Sequence, residues 1–87
     1  MRAKRRDANE GPIIDALERA GAEVWITDRP ADLLVWHRSR WYVLETKAAK
    51  GRFSPKQLEE RAQGLCRGII TVRTPLQALA AIGALRP

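Results

Sequence analysis

The sequence has few of the residues from which disulfides and zinc sites are built. Among its 87 residues there is one cysteine, Cys66, and one histidine, His37. One cysteine cannot form an intrachain disulfide, and the pair cannot supply a Cys/His zinc cluster. With no second histidine, we also predict no histidine-dependent mechanism.

Long apolar runs are missing as well. No segment approaches the length of a membrane span, and the first ten residues lack the apolar stretch of a signal peptide. We therefore expect a cytoplasmic protein with no membrane partner.

Acidic residues are outnumbered by basic ones. The chain has 10 Asp and Glu against 16 Lys and Arg, which gives a net charge of +6. Such an excess favours polyanionic partners, either nucleic acid or an acidic membrane surface. Charge alone also fits a basic domain of no special function. The 45% hydrophobic content excludes a disordered basic tail.

Four short apolar runs predict a four-stranded sheet. They cover residues 23–27, 31–36, 41–47 and 69–73 and are rich in β-branched and aromatic side chains. The second and third runs are separated only by residues 37–40, which predicts an antiparallel hairpin. Both faces of this hairpin carry apolar side chains, so we expect cover on both sides of the sheet.

Three other segments predict helices. Apolar residues recur at helical spacing over residues 13–20, after a start at Asn9 or Gly11. Residues 54–57 and 74–77 each combine a Ser or Thr cap with a following proline and a glutamine, which is typical of a capping box.

We expect the second helix to run to about Leu65, with Leu58 and Ala62 on the same stripe. The third helix is expected to point four apolar side chains inward: Leu76, Leu79, Ala80 and Ile82. The element order is then α-β-β-β-α-β-α, an α/β domain with a mixed sheet of about four strands flanked by helices. Residues 1–8 form a basic arm, and residues 9–87 form a single domain.

The predicted hairpin brings two acids together. If the turn is centred between Arg38 and Ser39, Asp32 lies opposite Glu45. Residues paired in this way have Cβ atoms about 4.5–5.5 Å apart. Glu45 and Lys47 share a face because strand side chains alternate with period 2. Two carboxylates and an amine thus converge at one end of the hairpin.

Facing carboxylates repel each other and favour a bound cation. Lys47 neutralises part of this charge, and Mg²⁺, which prefers carboxylate oxygens, water and phosphate, neutralises it better. The ion would polarise a phosphate and lower the pKa of a bound water. Lys47 would hold that water or stabilise charge on the phosphorane. The alternative is a salt-bridged strand end on solvated surface.

The pattern Pro30-Ala31-Asp32, followed by Glu45-Thr46-Lys47, resembles the PD-(D/E)xK nuclease superfamily. The element order resembles its αβββαβ, restriction-endonuclease-like core. Within it, the chain resembles the stand-alone, virus-type VRR-NUC domains, which are relatives of Holliday junction resolvases. The resemblance covers residues 9–84. It implies a Mg²⁺-dependent endonuclease (Mn²⁺ substituting) that cleaves branched or junction DNA as a homodimer, in a bacterial or phage-infected host cell.

The resemblance also implies roles for single residues. Asp32 and Glu45 correspond to the metal-binding acids, and Lys47 corresponds to the motif lysine. The backbone carbonyl of Thr46 is implied as a further metal ligand.

Two residues outside the motif are implied near the metal. Glu10 resembles the glutamate placed there before the first helix, and its alternative role is to stabilise the helix dipole. Gln57 resembles a second-helix glutamine near the site, and its alternative role is the capping box.

Several basic residues are candidate phosphate contacts, which position DNA without reading its sequence. They are Arg5, Arg6, Lys50, Arg52 and Lys56. The alternative for each is a solvated surface. Three tryptophans, Trp25, Trp36 and Trp41, either stack on unpaired bases or, as is commoner for strand aromatics, belong to the core or an interface.

Two further functional hypotheses remain open. A non-catalytic nucleic-acid-binding module on the same fold would use the basic arm and loop, with strongly salt-dependent binding. A basic structural protein of a ribosome or virion would not predict the pairing of Asp32 with Glu45.

Overall fold

The computed structural model describes residues 8–48 and 50–85. These residues form a small α/β domain with the predicted element order. Its helices and strands are α1 (Glu10–Arg19), β1 (Glu23–Ile26), β2 (Leu33–His37), β3 (Arg40–Thr46), α2 (Pro55–Ala62), β4 (Ile69–Val72) and α3 (Pro75–Ala81). No helix in these two ranges is long and apolar enough to cross a membrane.

The strands form one mixed sheet in the order β1-β2-β3-β4. The first three strands are antiparallel, and β4 runs parallel to β3. Leu33 pairs with Leu44 and Trp36 with Trp41, which confirms the predicted hairpin register. Arg38 and Ser39 form the turn, with positive φ angles of 51° and 66°. Positive φ at both central residues is the geometry that matches the twist of a two-residue hairpin.

The core lies on one face of the sheet, beneath α1 and α3. Its largest fully buried apolar side chains come from two layers: Ile13 and Leu17 of α1 and Ile82 after α3 in the helical layer, and Leu33, Val35, Leu44 and Val72 in the sheet. Burial of each such side chain contributes about 1.5–3 kcal/mol to folding, so this face supplies most of the hydrophobic stabilisation.

The opposite face is covered only at one end. α2 contacts this face through Glu45 and Thr71, whose side chains alternate with those of the core residues. At the other end, Trp25 is 56% exposed and Trp41 is 52% exposed. The expectation of cover on both sides is therefore wrong for the tryptophan end, because α2 has only 8 residues.

The second helix is shorter than expected. It ends at Ala62 rather than near Leu65, because the chain turns through a positive φ of 83° at Gly64. Leu58 and Leu65 are 55% and 53% exposed, so the predicted stripe of α2 is not buried.

The inward face of α3 also differs from the expectation. Ala78 and Ile82 are buried, whereas Leu76 is 65% exposed and Ala80 is exposed. Leu76 is two residues from Ala78, about 200° around the helix, so both cannot face α1. The contact with α1 selects the face that carries Ala78 and Ile82.

Candidate active site

Asp32 lies just before β2 and is held by the end of β3. Its Oδ2 accepts a hydrogen bond from the backbone N–H of Thr46 at 2.9 Å and another from the Thr46 hydroxyl at 3.1 Å. Asp32 is 6% exposed. Because a buried carboxylate is costly unless it is hydrogen-bonded, these two bonds fix the acid beside the last residues of β3.

Glu45 is the second buried acid of the hairpin, with 8% exposure. Burial raises the pKa of Glu45 above its ordinary value, and the charge of Asp32 raises it further. Lys47 lowers this pKa in part, while a hydrogen bond with Asp32 raises it. The two acids therefore meet, and burial together with the charge of Asp32 disfavours the ionised form of Glu45 relative to an exposed glutamate.

Gln57 connects the acid to the lysine. Its Nε2 donates to Glu45 Oε2 at 3.1 Å, and its Oε1 accepts from Lys47 Nζ at 3.1 Å. The same Oε1 accepts from the backbone N–H of Ser54 at 2.9 Å, which completes the capping box of α2. The capping role and the site position, weighed above as alternatives, are thus combined in one side chain.

Lys47 lies on the same side of β3 as Glu45. Its Nζ is 3.8 Å from Glu45 Oε2, and its side chain is 16% exposed. The ring of Phe53 lies 5.5 Å from Nζ and 4.2 Å from the guanidinium of Arg61. Two cations therefore share one aromatic ring. Phe53 and Arg61 were missed from sequence, although Arg61 lies one turn after Gln57 on the same face of α2.

Glu10 is the first residue of α1 and is 5% exposed. Its Oε2 lies 3.4 Å from the Thr46 hydroxyl, which also donates to Asp32. The structure therefore joins Glu10 to the acid pair through Thr46. The same carboxylate lies in the first turn of α1, where it favours the helix dipole.

Asn9 occupies the N-cap position of α1, but its side chain makes no cap hydrogen bond. Its Nδ2 instead donates to the carbonyl oxygens of Lys47 at 2.6 Å and Arg73 at 3.0 Å. This amide ties the start of α1 to the ends of β3 and β4. Asn9 is therefore the N-cap, one of the two predicted helix starts, but its amide is oriented by two long-range carbonyl acceptors and its oxygen accepts no hydrogen bond from the first turn.

The basic loop after β3 is anchored by Arg73. Its Nη1 donates to the carbonyl oxygens of Ala48 at 2.6 Å and Gly51 at 2.9 Å. Nothing in the sequence indicated this contact, which joins residues 22 and 25 positions apart.

The candidate phosphate contacts are placed as follows. Lys50, Arg52 and Lys56 are exposed around the loop. Arg5 and Arg6 lie outside the described residues.

A cleft of about 200 Å³ opens beside Glu45. Its walls include the basic side chains of Arg29, Lys56 and Arg61, and also Gln57. Three acids, Asp28, Glu45 and Glu60, line the same cleft, so its charged side chains balance in number, and Glu60 is ion-paired with Arg29 at 3.2 Å.

Among the described residues, no group of three or more His, Cys, Asp and Glu side chains is arranged to hold a metal ion. The oxygens available to bind a metal are those of the Asp32 and Glu45 carboxylates, and Glu10 is connected to them through Thr46. Magnesium is commonly held by one or two carboxylates, with water and substrate phosphate as its other ligands. The carboxylate oxygens of Asp32 and Glu45 fit this preference of magnesium.

Comparison with known proteins gives no relative for this chain: no family model, no curated protein and no solved structure matches it.

Proposed function

We propose that this chain is a metal-dependent DNA endonuclease of the PD-(D/E)xK type. The observation that carries the proposal is the meeting of two buried acids, Asp32 and Glu45, with the ammonium of Lys47 at 3.8 Å. A solvated strand end does not need buried acids, one of which has its pKa raised by burial and then by the charge of the other. Burial at that cost is typical of functional sites.

The acid pair supports a site for Mg²⁺, for which Mn²⁺ would substitute. Asp32 and Glu45 would supply carboxylate oxygens, the backbone carbonyl of Thr46 a further oxygen, and Glu10 a supporting acid. Hard oxygen ligands of this kind select Mg²⁺ and Mn²⁺ over softer metals. When bound, such an ion supplies a polarised phosphate and a water of lowered pKa.

The chain's own residues supply the remaining parts of phosphodiester hydrolysis. Lys47 would orient the attacking water or stabilise the charge that develops on the phosphate oxygens. Gln57 holds the Lys47 ammonium at 3.1 Å and the Glu45 carboxylate at 3.1 Å, which fixes both before substrate arrives. Such pre-organisation lowers the barrier because no reorganisation is needed during the reaction.

The substrate class we propose is DNA, in branched or junction form. The net charge of +6 favours a polyanion, and exposed Lys50, Arg52 and Lys56 lie around the loop that follows the catalytic strand. A homodimer would place two sites about a twofold axis, which suits symmetric cleavage of a four-way junction.

One observation favours a second candidate, a non-catalytic nucleic-acid-binding module. Asp32 is hydrogen-bonded to Thr46, and Glu45 to Gln57, so the acids already have protein partners. A pure binding module would show no carboxylate-dependent metal site.

The test is incubation of purified protein with a labelled four-way junction and a linear duplex, in Mg²⁺, Mn²⁺ or a chelator. We expect metal-dependent cleavage that is lost in Asp32→Asn, Glu45→Gln and Lys47→Ala. The matched control is Glu18→Gln, at an exposed acid of α1, which should cleave normally. Binding without cleavage in every metal condition would favour the module.

A further inference from the structure

The sheet face that carries Glu45 also carries three exposed tryptophans. Trp25, Trp36 and Trp41 are 56%, 37% and 52% exposed. The rings of Trp36 and Trp41 form a cross-strand pair, with centroids 5.0 Å apart and planes inclined at 59°. Exposed apolar side chains that form a contiguous patch, as these two rings do, mark interaction sites on soluble proteins.

The turn next to this pair has an unusual composition. Arg38 and Ser39 both have positive φ, where most two-residue hairpins use Asn-Gly. Left-handed backbone costs roughly 1–2 kcal/mol for each ordinary residue. The strained turn carries Arg38 two residues after Trp36 and three residues before Trp41 along the chain, and strain of this kind clusters at binding and catalytic sites.

The tryptophan pair and the acid site lie on the same face of the sheet, and Trp41 is on the same strand as Glu45. Trp41 and Glu45 are four residues apart on β3 and share a face, which separates them by about 13 Å along the strand. Stacked bases rise about 3.4 Å per step along one strand, so this distance is about four steps. A DNA strand that has one phosphate at Glu45 would therefore reach the tryptophans within a few nucleotides.

We propose that Trp36 and Trp41 form a platform on which an unpaired base of the DNA stacks, with Arg38 contacting the adjoining phosphate. The inference rests on the proposed nuclease function and narrows its substrate to DNA with unpaired bases near the scissile phosphate. Aromatic side chains beside basic ones are the common means of holding single strands.

Charge favours a nucleic acid over a second copy of the chain as the occupant of this face. A second copy brings another +6, whereas a phosphodiester strand neutralises the positive charge around the turn. Trp25 does not belong to the platform, because its indole N–H donates to the carboxylate of Glu23. Glu23 is the cross-strand partner of Trp36, so its charge does not distinguish the two positions. Trp25 offers an internal control because its indole is hydrogen-bonded to Glu23 and lies outside the Trp36–Trp41 ring pair.

The experiment measures binding in a chelator, without cleavage, by fluorescence anisotropy of labelled oligonucleotides. The substrates are a duplex, a duplex with a single-stranded flap, and the same flap with abasic positions. Wild-type protein should prefer the flap, and abasic positions should remove the preference. The Trp36→Ala/Trp41→Ala double variant should bind the flap about tenfold more weakly, which is the effect of losing one stacked base, and bind duplex as before. Trp25→Phe should behave like wild type.

Two results would overturn the platform. One is equal binding of intact and abasic flaps by wild-type protein, a measurement that needs no variant to fold. The other is conversion of a dimer to a monomer by the double variant, seen by sedimentation, with the flap preference unchanged. In that case the face is an interface between copies. Failure of the nuclease proposal is seen separately, as flap preference in the chelator with no cleavage in Mg²⁺ or Mn²⁺.

Discussion

Gln57 donates a hydrogen bond from its amide nitrogen to the carboxylate of Glu45 across 3.1 Å. The amide oxygen of the same side chain accepts from Lys47 and from the backbone of Ser54. One side chain therefore joins the first turn of α2 to both the acid and the amine of the site. A substitution at Gln57 is expected to change stability and activity together.

Gln57→Ala should destabilise the fold by about 1 kcal/mol, because it removes the side-chain hydrogen bond that completes the capping box. It should also lower cleavage by releasing Lys47 and Glu45. Urea denaturation and a cleavage assay measure the two effects. Gln63→Ala, at the exposed end of the same helix, is the matched control and should change neither.

Gln57→Glu separates these two effects. Glutamate keeps an oxygen for Ser54 and Lys47 but replaces the amide that donates to Glu45 with a second oxygen. Capping should survive, since glutamate is a preferred capping-box residue, while activity should fall. Equal loss of stability in the alanine and glutamate variants would contradict the assigned contacts.

The Glu45 carboxyl should make the metal-free protein less stable as pH rises. Its pKa in the folded state is raised above the ordinary 4.5, first by burial and then by Asp32. Between the two values the folded state retains a proton that the unfolded state has released, so the free energy of unfolding falls as pH increases through this window. Urea denaturation across pH in a chelator measures the effect.

Glu45→Gln removes this ionisation. Its stability relative to wild type should rise through the same pH window, and above it the variant should be the more stable protein. Glu18→Gln, at an exposed position, should track wild type at every pH. A wild-type protein that gains stability relative to Glu45→Gln as pH rises would show that the carboxyl is not destabilised by burial.

Magnesium should raise the unfolding temperature of the wild-type protein, because a ligand that binds only the folded state stabilises it. The gain is about 2.7 kcal/mol when the ion is present at 100 times its dissociation constant. Asp32→Asn and Glu45→Gln should lose the gain, and a chelator should reverse it in wild type. Because a carboxylate must be ionised to bind a metal, the affinity should weaken as pH falls. An equal shift in wild type and both variants would point to general screening of charge.

Asn9 should matter as a bridge between elements. Asn9→Asp preserves a good N-cap residue but loses the Nδ2 donor to the carbonyls of Lys47 and Arg73. Leaving two partly buried carbonyls without this donor should destabilise the fold by about 1–3 kcal/mol. Urea denaturation tests the result. A simple capping residue would tolerate aspartate without loss.

The basic loop should set the salt dependence of DNA binding. Lys50→Gln and Arg52→Gln should each weaken binding of any DNA sequence, because phosphate contacts carry no sequence information. Each lost contact should reduce the slope of log K against log salt concentration by about 0.9 for duplex DNA. Arg19→Gln, at an exposed position of α1, is the control and should leave the slope unchanged.

The hairpin and its acids were the most predictable part of the protein. The short connection between β2 and β3 suggested a turn centred between Arg38 and Ser39, and the register that follows from this turn brings Asp32 to the end of β3. Capping sequences likewise located the starts of α2 and α3. These features depend on neighbours in sequence, and local geometry specifies them.

Prediction from sequence is weaker wherever distant segments compete for the same partner. Leu76 fits an apolar stripe as well as Ala78 does, and packing on α1 decided between them. Arg73 carries no local sign that it holds the loop carbonyls of Ala48 and Gly51. The deciding contacts in both cases lie between segments far apart in the chain.

The amino-acid sequence by itself determined the order of elements, the hairpin register and the identity of the two acids and the lysine, because strand and helix periodicity are local properties. Only the tertiary structure decided that Asn9, Phe53, Arg61 and Arg73 surround or support the site, and that the tryptophan face stays open. Those outcomes depend on which side of the sheet each helix covers, and a short α2 leaves too little apolar surface to cover its side completely.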